Sequence, residues 1–219
     1  MSSHHIVREG QEPALIIANG EACSTELLGQ LLEWSPFIIV LDGAIQRVLD
    51  LGIKVDILLG DFDSNAHVLE QIEHMHIEIV HTPDQNKTDL QKAIEFLIDR
   101  NFEAVNIVWA TGRRADHSLT NMTDIVRYKS QINIVMIDDY SRIIPLKQSF
   151  TKWYEHGRII SLMPVGTVEG ITTSGLLYNL QNETLKIGYR SGISNQVAAD
   201  GIVQITISNG DLLLMECFD

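Results

Sequence analysis

The chain has 219 residues, 45% of them hydrophobic and 21% charged, which is ample for one large core or two small ones. Its 16 basic and 29 acidic residues leave a net charge of −13, so no basic footprint for a nucleic-acid backbone exists. No run of about 18 apolar residues occurs, so no membrane-spanning helix is expected. In chain order, ALIIAN (14–19) reads as a first strand, followed by Leu27, Leu28, Leu31 and Leu32 at helical spacing behind Ser24 and Thr25. FIIVL (37–41) reads as a second strand, with a short helix over Ala44 to Leu51 that stops at Gly52. DILL (56–59) is a third, running into the turn Gly60–Ser64. A helix over Val68 to Met75 and a fourth strand, IEIV (77–80), come next.

Leu90, Ala93, Ile94, Leu97 and Ile98 mark one face of an amphipathic helix. VNIVWA (105–110) is the fifth strand, Leu119, Met122, Ile125 and Val126 mark another helix, and INIVMI (132–137) closes the series. This alternation predicts an α/β domain over residues 1–141, a mostly parallel sheet flanked by helices. From about Asp139 the helical period disappears. RIISLMPV, VEGITTSGLLY, TLKIGY, GIVQITIS and DLLLMEC read as separate strands of a small all-β sandwich over 142–219. Asn209-Gly210 predicts a two-residue hairpin between the last two. The charge divides likewise: residues 1–141 hold 10 basic and 22 acidic groups, against 6 and 7 in 142–219.

Four acid-rich clusters follow strands of the first domain: Asp42-Gly43, Asp61-Phe62-Asp63, the loop Asp84 to Asp89, and Arg113-Arg114-Ala115-Asp116-His117. Ligands of open α/β sheets bind at the carboxyl ends of the strands, so all four should open onto one edge. Carboxylates there suit a hard divalent cation, and arginine forks suit phosphate oxygens. Asp61 and Asp63, two residues apart, can face one ion. Two readings stand for Asp89: a ligand, or the first-turn acid of a helix capped by Thr88 and Gln91. Asp116 has the same two readings. The P-loop and dinucleotide fingerprints are both missing from the sequence, so a phosphate substrate would be held through metal and arginine. Cys23 and Cys217 lie near opposite ends, without a CxxC or HExxH pattern, and no structural zinc is expected. The polar start MSSHHIVREGQEP lacks a signal-peptide core, so the cytoplasm is the expected location.

Taken together, GDFDS (60–64), DQNKTD (84–89), GRRADHSLTN (112–121) and SGISN (191–195) resemble the blocks of the thiamine pyrophosphokinase family, in its order. The resemblance implies transfer of a diphosphoryl group from ATP to the hydroxyl of thiamine, with Mg²⁺ held by Asp61, Asp63 and Asp89. It implies that Asp42, Gly43, Arg113, Arg114, Asp116 and His117 handle ATP or its phosphates. Gln85 and Thr88 would line the thiamine side, Ser194 with Asn195 would meet the aminopyrimidine, and Tyr178 would stack on the thiazolium. A homodimer with shared sites is implied as well. One departure is Arg113, where many family members carry a second glycine. Another is Leu177-Tyr178, where the family often has lysine and tryptophan. A metal-dependent phosphohydrolase using the same carboxylates, and a non-catalytic sensor of thiamine or nucleotide, are the competing readings.

Overall fold

The computed structural model describes residues 12–62 and 72–218. Two compact units result: one runs up to Asn121 and adds Gln131–Ile134, and the other takes Met122–Ser130 and Val135–Asp219. The stretch 122–141, which the sequence reading attached to the first domain, is shared between them.

In the first unit, β1 (Ala14–Ile17), β2 (Ile38–Leu41), β3 (Ile57–Gly60), β4 (Glu78–His81) and β5 (Ala104–Val108) form a parallel sheet in the order β4-β3-β2-β1-β5. The three inner strands β1, β2 and β3 are buried along their whole length and read as unbroken aliphatic runs, as strands covered on both faces must. At the edge, β4 exposes most of its residues. Helices α1 (Thr25–Leu32), α2 (Ile45–Asp50), α3 (Asp89–Asp99) and α4 (Ala115–Asp124) alternate with the strands. Ser24 caps α1, its hydroxyl accepting from Leu27 N at 3.3 Å. The expected helix over Val68 to Met75 lies largely outside the described residues, as do Asp63 and Ser64. Because the chain lays down β2, β3 and β4 on one side of β1 and then β5 on the other, the strand order reverses between β1 and β5. Crevices in such sheets open at that point.

The second unit is antiparallel. Strands β6 (Asn133–Ile137) and β7 (Ser141–Pro145) pair with each other, and β7 pairs with β13 (Asn209–Cys217). Next to β13 lies β9 (Ile159–Ser174), a strand of 16 residues. Its first half also pairs β11 (Gly192–Gln196), and its second half pairs β10 (Glu183–Lys186) and β12 (Gly201–Thr206). β12 in turn pairs β8 (Ser149–Tyr154). Between these layers lies a core that includes Tyr154, Ile160, Leu162, Ile171, Val203, Ile205, Leu212 and Leu214.

Two sequence expectations need correction here. RIISLMPV and the VEGITTS part of VEGITTSGLLY form one continuous strand, because Gly166 takes a positive φ within β9 instead of ending a strand. Asn209-Gly210 makes no hairpin: β12 and β13 each pair with β9, and Asn209 already faces Glu169. Gly210, at φ +100, forms a bulge where a side chain would strike the Thr167 carbonyl.

Candidate active site

At the carboxyl ends of the five parallel strands, the first unit has a cleft of about 470 Å³. Every strand-end loop contributes. Asn19 and Gly20 follow β1, Asp42 and Gly43 follow β2, and Asp61 follows β3. Gln85, Lys87, Thr88, Asp89 and Lys92 come from the loop after β4 and the start of α3. Gly112, Arg113, Arg114, His117 and Asn121 come from the segment after β5.

Local backbone chemistry explains this convergence. Asp42 opens a one-turn 3-10 helix, and its Oδ2 accepts from Phe62 N at 3.1 Å, which ties the β2 end to the β3 end. Gly60 permits that approach, since a β-carbon there would overlap the Asp42 carboxyl. Gln85 Nε2 donates to Asp61 Oδ2 at 3.3 Å, joining the β4 loop to the same corner. Thr88 and Gln91 form a full capping box: Gln91 N donates to Thr88 Oγ1 at 3.2 Å, and Thr88 N donates to Gln91 Oε1 at 3.1 Å. The cap reading therefore holds, and it leaves Asp89 at the cleft where the ligand reading needs it.

Burial pushes the Asp42 carboxyl above its ordinary value; the Phe62 N–H opposes this, and the neighbouring charges of Asp89 and Asp61 push the same way. The Asp42 carboxyl thus lies within electrostatic reach of both Asp61 and Asp89. Among the described residues, no three His, Cys, Asp or Glu side chains form a ready-made cage for a metal ion. Mg²⁺ does not require one, because it is usually held by one or two carboxylates together with substrate phosphates. Hard oxygen donors at Asp61 and Asp89 fit that pattern.

The opposite wall carries cationic groups. Arg113 takes φ +54, the left-handed region that glycine occupies without strain, so the conformation matches the glycine many family members have there. Its Nη1 reaches Asn19 O and Oδ1 at 3.5 Å. Arg47, which does not itself line the cleft, donates to Asn19 Oδ1 at 2.9 Å and Gly20 O at 3.1 Å, and its guanidinium lies 4.6 Å from the centre of the buried Trp109 ring. Arg114 forks onto Asp116 with bonds of 3.1 and 2.5 Å, which holds the Asp116 carboxyl down at about 2. Arg114 lines the cleft, whereas Asp116 is not among its lining residues.

Tyr178, Ser194 and Asn195 belong to the second unit. Asn195 is buried, its Oδ1 accepting from Tyr178 N at 3.1 Å and Gln196 N at 2.9 Å while Nδ2 donates to Tyr178 O at 2.8 Å. Its amide is spent on holding Tyr178, which is 74% exposed. Ser194 N donates to Ser161 Oγ at 2.9 Å, and Ser194 itself is exposed.

The sequence reading missed Asn19 and Lys92, which line the cleft, and Arg47, which bonds Asn19. Asn19 ends the first strand just as Asp42 ends the second, and that position was the available signal. Lys92 stands three residues after Asp89, a spacing that puts both on one helix face. Arg47 left no comparable trace in the sequence.

Comparison with known proteins now bears on this cleft. A family model described as thiamin pyrophosphokinase, catalytic domain, matches residues 28–136. The family's vitamin B1 binding domain matches residues 143–212. Thiamine pyrophosphokinase of Bacillus subtilis is 30% identical over 182 residues, covering 78% of this chain and 83% of that one. A rice relative, thiamine pyrophosphokinase 1 of Oryza sativa subsp. japonica, is 33% identical over 175 residues. That match covers 73% of this chain and 65% of the relative's own length. The crystal structure of the Bacillus subtilis thiamine pyrophosphokinase superimposes with a TM-score of 0.79 at 24% identity, covering 95% of this chain and all of that one, which shows a shared fold. With both family domains matched in order, and the Bacillus relative aligned over most of each chain, this chain belongs to the thiamine pyrophosphokinase family.

Proposed function

We propose that the chain transfers the terminal diphosphoryl group of Mg-ATP to the hydroxyl of thiamine, forming thiamine diphosphate and AMP. The observation that carries this reading is one cleft with Asp42, Asp61 and Asp89 on one wall and Arg113, Arg114 and His117 on another. An acidic corner beside cationic groups suits a triphosphate that arrives with its metal. Bound by Asp61 and Asp89, with Asp63 as the third expected ligand, Mg²⁺ would neutralise charge on the nonbridging phosphate oxygens.

The residues of the chain divide the remaining work. Asp42 keeps the β2 and β3 ends together, so Asp61 faces the phosphates. Arg113, Arg114 and His117 orient the triphosphate and stabilise charge that builds toward the leaving AMP, with Asp116 fixing the Arg114 fork. Thiamine's hydroxyl oxygen attacks the β-phosphorus, the bridge between α- and β-phosphates breaks, and a cleft aspartate takes the hydroxyl proton. Gln85 and Thr88 line the acceptor side. Tyr178 offers its ring to the cationic thiazolium, with Ser194 nearby and Asn195 holding Tyr178 in place. Residues 1–141 then act as the nucleotide and metal domain and 142–219 as the thiamine domain. Two copies of the chain share their sites in a cytoplasmic homodimer.

Mass spectrometry of products from ATP and Mg²⁺, with and without thiamine, tests the reading. AMP and thiamine diphosphate appearing together, and only with thiamine present, is the expected result. Nucleotide cleavage that ignores thiamine would establish a phosphohydrolase, and binding without turnover would establish a sensor.

A further inference from the structure

Lys92 is 9% exposed, an unusual state for a lysine, and it lines the cleft. Its ammonium donates to Asp89 Oδ1 at 3.0 Å and to the Thr82 carbonyl at 2.8 Å. Thr82 follows the end of β4, and Asp89 opens α3. One cation therefore ties the strand end to the carboxylate at the helix start. A buried charge persists only when paired and hydrogen-bonded, and these two bonds supply that pairing. Helix capping needs none of this, because Thr88 and Gln91 already complete the capping box.

We propose that Lys92 is a positioning residue for the Asp89 carboxylate: it holds Oδ1, fixes the rotation of the carboxyl group, and leaves Oδ2 as the oxygen presented to a divalent cation. The proposal rests on the metal role assigned to Asp89 above. Carboxylates that ligate metals are commonly oriented by such neighbours, whose loss typically weakens metal binding about 10–100-fold. Charge alone makes the opposite prediction, since an ammonium beside a cation site repels the cation.

Mn²⁺ titrated into the nucleotide-free protein, with free ion followed by electron paramagnetic resonance, separates these cases by sign. Lys92→Met should bind Mn²⁺ about tenfold more weakly than the native chain. Lys92→Arg, which keeps a donor and a charge, should recover most of that affinity. Tighter binding in Lys92→Met would leave only a charge effect, and unchanged binding with a lowered Tm would leave only a structural one; either overturns the proposal. Should the Met variant fail to fold, Lys92→Gln decides, and affinity equal to or above native overturns the proposal. Asp89→Asn in the same titration isolates the underlying reading. If it binds Mn²⁺ like the native chain, or if the native chain shows no saturable binding, the metal role of Asp89 fails, and this proposal with it.

Discussion

The two units spend their polar side chains in opposite ways. In the first, Asp42, Asp61, Asp89, Arg113 and Arg114 gather at strand ends around open space. In the second, the notable polar groups are used up on one another. Glu216 is 4% exposed, and its Oε1 accepts from Tyr154 Oη at 2.5 Å and Lys152 Nζ at 2.6 Å. Asn195 is likewise consumed by the Tyr178 backbone. A polar group buried with its bonds turned inward serves the fold; one that lines a cleft can also meet a ligand. This difference separates chemistry from architecture, and substitutions can break or sharpen it.

The largest effect should come from Asp61→Ala. We expect turnover to fall by orders of magnitude with Tm nearly unchanged, because Asp61 lines the cleft and its bond with Gln85 joins exposed side chains. A variant with native turnover and native Mg²⁺ dependence would erase the contrast at its strongest point. Tyr154→Phe should behave in reverse. Removing a hydroxyl from the buried Glu216 carboxylate should cost about 1–3 kcal/mol in denaturant unfolding while kcat stays near native. Burial, with the bond to Glu216 adding to it, raises the Tyr154 phenol well above its ordinary value, so this ring should stay protonated through an alkaline spectroscopic titration of the folded protein.

Thr88→Ala tests a residue that stands on both sides of the comparison. Losing the helix cap should cost about 0.5–2 kcal/mol, read from chemical denaturation. A rise in KM for thiamine should accompany it if Thr88 also lines the acceptor site. The smallest effect belongs to the exposed Arg114–Asp116 pair. The Asp116 carboxyl titrates at about 2 when folded against an ordinary 3.8, so any stability it adds is present above 3.8 and lost as pH falls through about 2. Carboxyl NMR should find Asp116 still ionised at about pH 3, while Asp116→Asn should leave Tm at neutral pH unchanged within scatter.

Much of the first unit was legible in the sequence because parallel strands buried on both faces must be aliphatic and must end in polar turns. That pattern located Asp42, Asp61, Asp89, Arg113 and Arg114 on one edge without any knowledge of strand order. The second unit was less legible, since its glycines serve bends and bulges as often as turns. Gly166 continues β9, and Gly210 bulges β13, yet in sequence each looks like the end of a strand. Lys92 escaped notice for a related reason. A lysine in an amphipathic helix reads as solvated, and only the position of Thr82 in space shows that its ammonium is enclosed.

Asp89 is where the two uses of polarity meet, because it starts a helix, pairs with Lys92 and faces the cleft. The activity of Asp89→Asn across a Mg²⁺ series, measured beside its Tm, therefore tests the account most directly. The prediction is an apparent Mg²⁺ requirement raised about tenfold or more, with a Tm close to native. A native Mg²⁺ response combined with a lowered Tm would make Asp89 a structural residue and contradict the assignment of this cleft.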